Sequence, residues 1–160
     1  MREIVTIGVY GYDEAAFFAA LQTARVDTFC DIRQRRGVRG REYAFVNSQR
    51  LQARLAELGI RYLHYKELAP TTAVRDRQKQ EDKAQGIAKR TRSSLGAAFI
   101  AAYQEEVLRD FMPEALQAAL PPDAQVVAFF CVERDPAACH RSLVADRLAR
   151  EWGVGVVHLV

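Results

Sequence analysis

Apolar runs and amphipathic stretches alternate along the chain from one end to the other. Ile4 to Val9 reads as a first strand, and Asp13 opens a helix whose Phe17, Phe18 and Leu21 fall at core-facing spacing. Val26 to Ile32 predicts a second strand. Asn47 or Ser48 caps a helix carrying Leu51, Leu55 and Leu58, and Gly59 ends it before a third strand from Ile60 to Tyr65. Leu95 to Met112 reads as helical. Pro113 breaks that stretch or starts a further short helix through Leu120, and Pro121 and Pro122 end it. Val126 to Phe130 is an unbroken apolar run, the pattern of a strand covered on both faces. Asp135 and Pro136 then read as the N-cap and first position of a helix continuing from Ala137 to Arg150, which places Cys139 and His140 in its opening turns. Gly153 leads into a fifth strand, Val154 to Val160.

This alternation predicts an α/β fold: a single three-layer domain over residues 1–160, with a mainly parallel sheet of about five strands and helices on both faces. A chain of 160 residues is long enough for one core and short for two. If the strands are parallel, the segments that follow them share one edge of the sheet, where open α/β folds collect ligands. Those segments hold Tyr10 and Gly11, then Asp31 and Arg33, then His64, Lys66 and Glu67, and finally Cys131, Glu133 and the Cys139 helix. His158, in the last strand, is expected to be a satisfied structural group.

Charge sharpens this picture in two places. From Arg33 to Arg41 the sequence RQRRGVRGR sets arginines 33, 35, 36, 39 and 41 around Gly37 and Gly40. Arginine forks suit phosphate or carboxylate, and glycine lets backbone approach a ligand. The stretch from Thr71 to Ser94 carries seven cationic side chains against three acidic ones, an excess larger than the net charge of +3 for the whole chain. With few apolar residues, it predicts a basic lid or insertion at about residues 71–94.

The third cluster lies between Val126 and Ser142, where Cys131, Glu133, Arg134, Asp135, Cys139, His140 and Arg141 crowd together after the apolar run. A helix N-terminus stabilises thiolate over thiol, which makes Cys139 a candidate reactive group, whereas Cys131 is expected to pack. The chain lacks a G-x-x-x-x-G-K-[ST] loop, a G-x-G-x-x-G turn and a G-x-S-x-G elbow. Arg141 follows Cys139 too closely for a phosphatase-type cradle. The cysteines and histidines show no paired zinc-ligand spacing, so no metal and no cofactor are expected, although a set of Cys131, Cys139 and His140 gathered by a loop stays open. Three scattered cysteines, no apolar run of membrane-spanning length and a strand-like N-terminus point to a cytoplasmic location and no membrane partner.

The segments TIGVYG, FCDIRQRRGVRG, YAFVN, LGIRYLHYKELAP and FFCVERDPAACHRSLVADRL resemble the motifs of the domain-of-unknown-function 488 family over nearly the whole chain. The most specific element is C-x-E-x-x-P-x-x-C-H-R, here Cys131, Glu133, Pro136, Cys139, His140 and Arg141. Many members open with an IGHS-like turn where this chain has Ile7, Gly8, Val9 and Tyr10, so a family role for that histidine does not carry over. The resemblance implies an α/β domain whose clustered polar motifs belong to an enzyme, and names no reaction.

The residues themselves favour an enzyme, a hydrolase or transferase, acting on a phosphate-bearing substrate such as a nucleotide or nucleic acid. Arg33, Arg36, Arg141 and His64 are the candidate phosphate-binding groups. Glu133 and Asp31 are the candidate acid or base, with His140 and His64 as alternatives, and Cys139 is the candidate nucleophile. Two other readings stay open: a non-catalytic nucleic-acid-binding module that uses the same arginines, and a thiol redox protein built on Cys131 and Cys139.

Overall fold

The order of burial along Val126–Cys131 decides the architecture. All six residues are buried, and as a strand they sit at the centre of the sheet. A computed structural model describes residues 1–88 and 91–160; Lys89 and Arg90 of the basic stretch lie outside the described residues. The elements follow in the order β1 (Glu3–Gly8), α1 (Glu14–Thr23), β2 (Thr28–Asp31), α2 (Ser48–Glu57), β3 (Arg61–His64), α3 (Thr72–Gln85), α4 (Ala97–Tyr103), α5 (Pro113–Ala119), β4 (Val126–Cys131), α6 (His140–Trp152) and β5 (Gly155–Leu159). The sheet order is β3-β2-β4-β1-β5 and every pairing is parallel.

Alternate residues of the strands feed two separate cores. Val5, Ile7, Phe29, Ala128 and Phe130 pack with Phe17, Phe18, Leu51 and Leu55 of α1 and α2. Ile4, Cys30, Val127 and Phe129 pack with Val74, Phe99, Tyr103, Val144 and Leu148 of α3, α4 and α6. The expected three layers are therefore present. Connections from β2 run outward over one face and those from β4 return over the other, so the chain reverses direction between these two neighbouring strands. In an open parallel sheet such a reversal leaves a crevice at the carboxyl ends.

Local chemistry sets the ends of the elements. Asp13 caps α1 by accepting a hydrogen bond from Ala16 N at 2.8 Å, and Gly153, at φ +64, closes α6 in the left-handed conformation. Asn47 stands at the start of α2 as expected, but its Oδ1 accepts from Val38 N at 2.8 Å instead of capping, which ties the arginine loop to the helix. The stretch from Thr71 forms the 14-residue α3, which buries only Val74 and Gln78. After α4 the predicted long helix continues as a π turn, Gln104–Leu108, and α5 starts with Pro113 at its first position. His158 bonds Thr6 Oγ1 through Nδ1 at 2.7 Å. No helix among the described residues is long and apolar enough to cross a membrane.

One expectation is corrected. The helix predicted from Ala137 begins at His140; Pro136–Ala138 form a 3-10 turn, and Asp135 caps that turn, not α6, by accepting from Ala137 N at 2.9 Å. The carbonyls that a continuous helix needs are used elsewhere. Ala137 O accepts from Leu95 N at 2.9 Å and Ala138 O from Arg92 Nη2 at 3.1 Å. Cys139 is consequently extended, at φ −139 and ψ 142, and serves as the N-cap residue of α6.

At the opposite edge of the sheet Asp27 joins three strands. Its Oδ2 accepts from Gln125 N and Val126 N, each at 2.8 Å, and its Oδ1 accepts from Thr28 Oγ1 at 2.7 Å and Arg61 Nη2 at 3.1 Å. Partial burial raises its carboxyl pKa, but the donors, Val126 N first among them, outweigh that and hold it below the usual carboxylate value. A carboxylate depressed in the folded state contributes stability above its unfolded pKa and loses it as pH falls through the folded one. Asp27→Ala is expected to be less stable than the native chain at neutral pH, with the difference shrinking below about pH 4. Urea midpoints of both proteins across that range check this, and a difference independent of pH contradicts it.

Candidate functional site

The crevice between β2 and β4 is a cavity of about 490 Å³. One wall comes from the carboxyl ends of the two strands: Arg33, Gln34 and Arg35 after β2, and Cys131 at the end of β4 with Val132 and Glu133 after it. The opposite wall is α3 and the segment after it, which present Arg75, Gln78, Lys79, Asp82 and Arg92. Cys139 and His140 close the remaining side with Phe99 and Leu95.

Arg33 is fixed before any ligand arrives. Its Nε donates to Asp31 Oδ1 at 2.8 Å, and its Nη2 donates to Asp31 Oδ2 at 2.7 Å and to Val46 O at 3.1 Å. The guanidinium carbon sits 4.5 Å from the centre of the Phe130 ring, a cation–π contact. Its Nη1 is buried without a hydrogen-bond partner. Asp31 is fully buried behind the cavity wall, and its Oδ2 also accepts from Tyr62 OH at 2.9 Å. Burial, and secondarily Asp31, push the Tyr62 hydroxyl up to about 12. Asp31 thus holds Arg33 in place and does not itself face the cavity.

Arg141 is the largest fully buried side chain and also lies behind the wall. Its Nη1 donates to Glu133 O and its Nη2 to Arg134 O at 2.8 Å, so it shapes the loop after β4. Gly8 makes that loop possible. A Cβ at position 8 would lie 1.7 Å from Glu133 O, closer than atoms can approach, and in tight contact with Arg141 Nη1 at 3.0 Å. His64 contacts the Arg33 carbonyl through Nε2 at 2.9 Å, and Arg36 is exposed; neither lines the cavity.

Four of the expected residues do meet there: Arg33, Glu133, Cys139 and His140. Glu133, almost fully buried, accepts from Arg92 Nη2 at 3.3 Å. Arg92 also bonds Asp82 at 2.7 Å and Ala138 O at 3.1 Å, which fastens the end of the basic stretch to the β4 loop and the turn before α6. Cys131, expected only to pack, reaches the cavity as well, and its Sγ lies 3.8 Å from His140 Nδ1. Cys139 Sγ lies 3.8 Å from the same nitrogen. His140 is itself oriented: its Nε2 is 3.3 Å from Ile32 O, and its ring meets Tyr103 edge to face at 5.5 Å between centres. Burial alone would raise the Cys139 thiol, but hydrogen bonds from Cys131 and His140 and the charges of His140 and Arg141 hold it well below the ordinary thiol range. Cys30, in the apolar core and beside Asp31, is pushed up.

Arg75, Gln78, Lys79, Asp82 and Arg92 were legible only as a basic stretch. The first four recur at i, i+3, i+4 and i+7, the spacing of one helix face, but the other faces are as polar, so no apolar stripe marks that face in the sequence.

The family described as Domain of unknown function DUF488 matches residues 14–148 of the chain. No curated protein and no solved structure matches it.

Two substitutions test this geometry. Asp31→Ala leaves the Arg33 guanidinium buried without its anion, and a loss of about 3–5 kcal/mol is expected in urea denaturation; a loss below about 1 kcal/mol contradicts the role given to the pair. Gly8→Ala forces the β1 end and the Glu133 carbonyl apart. A lowered melting temperature is expected, together with amide chemical-shift changes that reach Glu133 and Arg134 and spare α2.

Proposed function

We propose that this chain, which belongs to the DUF488 family, is an enzyme that takes a phosphate-bearing substrate into the cavity between β2 and β4. The observation that carries the reading is the charge of the walls: Arg33, Arg35, Arg39, Arg75, Lys79 and Arg92 face Asp82 and Glu133 alone among carboxylates. A volume of about 490 Å³ lies in the range of small-molecule sites, and suits a nucleotide or one end of a nucleic acid better than a duplex.

Arg33 is the anchor in this reading, because it lines the cavity and its position is set by Asp31 and Phe130. A donor held in place before binding loses little conformational freedom on binding. Arg75 and Lys79 add charge from α3, which covers the substrate. Glu133 transfers the proton as general acid or base, and Cys139 and His140 border the same space. The exposed arginines 36 and 41, outside the lining, extend the positive surface beyond the cavity and favour a polymeric substrate over a free mononucleotide.

Calorimetric titration with inorganic phosphate, mononucleotides and short oligonucleotides tests this. Binding is expected, and weakening by tenfold or more in the Arg75→Ala, Lys79→Ala double variant, whose melting temperature without ligand stays near that of the native chain. Glu133→Gln is expected to retain binding and lose turnover of phosphate esters. No binding by any member of the series overturns the reading. Oligonucleotide binding with a steep salt dependence, unaffected by Glu133→Gln and without turnover, makes the chain a nucleic-acid-binding module instead.

A further inference from the structure

The geometry points to a metal site: Cys131 Sγ, Cys139 Sγ and His140 Nδ1 form a three-ligand centre for a soft divalent cation, zinc by its chemistry, with one position open to the cavity. The three donor atoms all lie within 4.8 Å of one another, and Nδ1 is 3.8 Å from each sulfur. In a tetrahedral zinc site, bonds of about 2.3 Å to sulfur and about 2.0 Å to nitrogen set neighbouring donors about 3.5–3.8 Å apart. The two nitrogen–sulfur distances are within a few tenths of an ångström of that spacing, and the sulfurs, no more than 4.8 Å apart, would close by at most about 1 Å to complete the shell.

The histidine is prepared for the task. Its Nε2 faces the Ile32 carbonyl at 3.3 Å, and a carbonyl accepts only from an N–H. In the neutral ring the proton therefore belongs on Nε2, which leaves the Nδ1 lone pair facing the two sulfurs once a cation displaces any proton from Nδ1. Metal-bound histidines are oriented in the same way, by a hydrogen bond from the remote ring nitrogen to a carbonyl or carboxylate. Tyr103 packs edge to face on the ring and is tethered by its own hydroxyl to Leu68 O at 2.6 Å, which limits rotation of the imidazole.

The supports for the three ligands are rigid and converge from different places. Cys131 ends the central strand, Cys139 occupies the extended residue between two helical segments, and His140 begins α6. All three are nearly fully buried, yet all three line the cavity. Structural zinc sites close with four protein ligands, whereas catalytic ones keep three and leave a position for water or substrate. Among the described residues the cluster contains only these three donors. Two thiolates and a neutral imidazole balance a divalent charge in a region that burial makes hostile to unbalanced charge. A water or substrate oxygen at the fourth position would meet the cations of the cavity wall. The inference stands whether or not the cavity takes phosphate.

The test uses the untagged full chain, reduced and freed of metal by chelation, titrated with zinc and separately with cobalt. One equivalent of zinc per chain is expected by elemental analysis. Cobalt is expected to give thiolate charge-transfer absorption and the visible bands of a tetrahedral site. Zinc is expected to protect Cys131 and Cys139 of the native chain from alkylation, read by peptide mass spectrometry, which requires no variant to fold. Cys131→Ser and Cys139→Ser are expected to weaken the metal at least tenfold, and Cys30→Ala to keep one equivalent. Absence of metal uptake by the reduced native chain overturns the site. So does uptake unchanged in both serine variants. A Cys131–Cys139 disulfide that forms on mild oxidation, in a chain that takes up no metal when reduced, makes the pair a redox device instead.

Discussion

The exit of the chain from β4 constrains everything built around the cavity. At that point the Glu133 carbonyl presses against Gly8 at the end of β1, with the buried Arg141 guanidinium donating to it from α6. A side chain at position 8 has no room, so β1, β4 and α6 meet through backbone and one cation. This contact turns the chain away from the sheet. Cys131 and Glu133 are left on the cavity side, with the first turn of α6 folded back beside them.

Around that junction the buried charges divide into those behind the cavity wall and those that line it. Asp31 and Arg141 have no exposed surface, and their bonds are spent on Arg33, on Tyr62 and on two backbone carbonyls. Losing one member of such a set leaves its partner uncompensated in a poorly solvating interior, so these groups carry structural weight out of proportion to their number. Arg33 joins the two classes, since Asp31 holds it from behind and it lines the cavity. Arg92 is the corresponding link on the other side and ties the basic stretch to Glu133 and to the turn before α6. That link also takes the Ala138 carbonyl out of helical bonding, which is why α6 begins late and Cys139 is extended.

Much of the layout was legible along the chain. The unbroken apolar run at Val126 to Phe130 marked a strand buried on both faces, and the alternation of strand and helix patterns implied a parallel sheet with helices on either side. Periodicity is a local property that survives into the fold, because the same residues must face a core whatever the details of packing. The parallel sheet then brought the post-strand segments to one edge, and Arg33, Glu133, Cys139 and His140 all came to the cavity from that reasoning alone. The C-x-E-x-x-P-x-x-C-H-R pattern likewise spans Cys131, Glu133, Cys139 and His140, which line the cavity.

What the chain could not reveal was which of two neighbouring polar residues faces inward. Asp31 and Arg141 carry the right chemistry for a site yet lie behind its wall, because a buried cation and a buried carboxylate satisfy each other or the backbone before they meet a ligand. Cys131 reads as the last apolar residue of a strand, and only the return of α6 places His140 Nδ1 within 3.8 Å of its sulfur. The α3 residues that face the cavity share one helix face, but with only Val74 and Gln78 buried on that helix no apolar stripe marked it. The sequence by itself determined the layers, the edge that carries the cavity and four of the residues that line it, because these follow from local pattern and strand direction. Only the tertiary structure decided the pairing of the charges and the convergence of two thiols on one imidazole, because those depend on side-chain distances between segments that are remote in sequence.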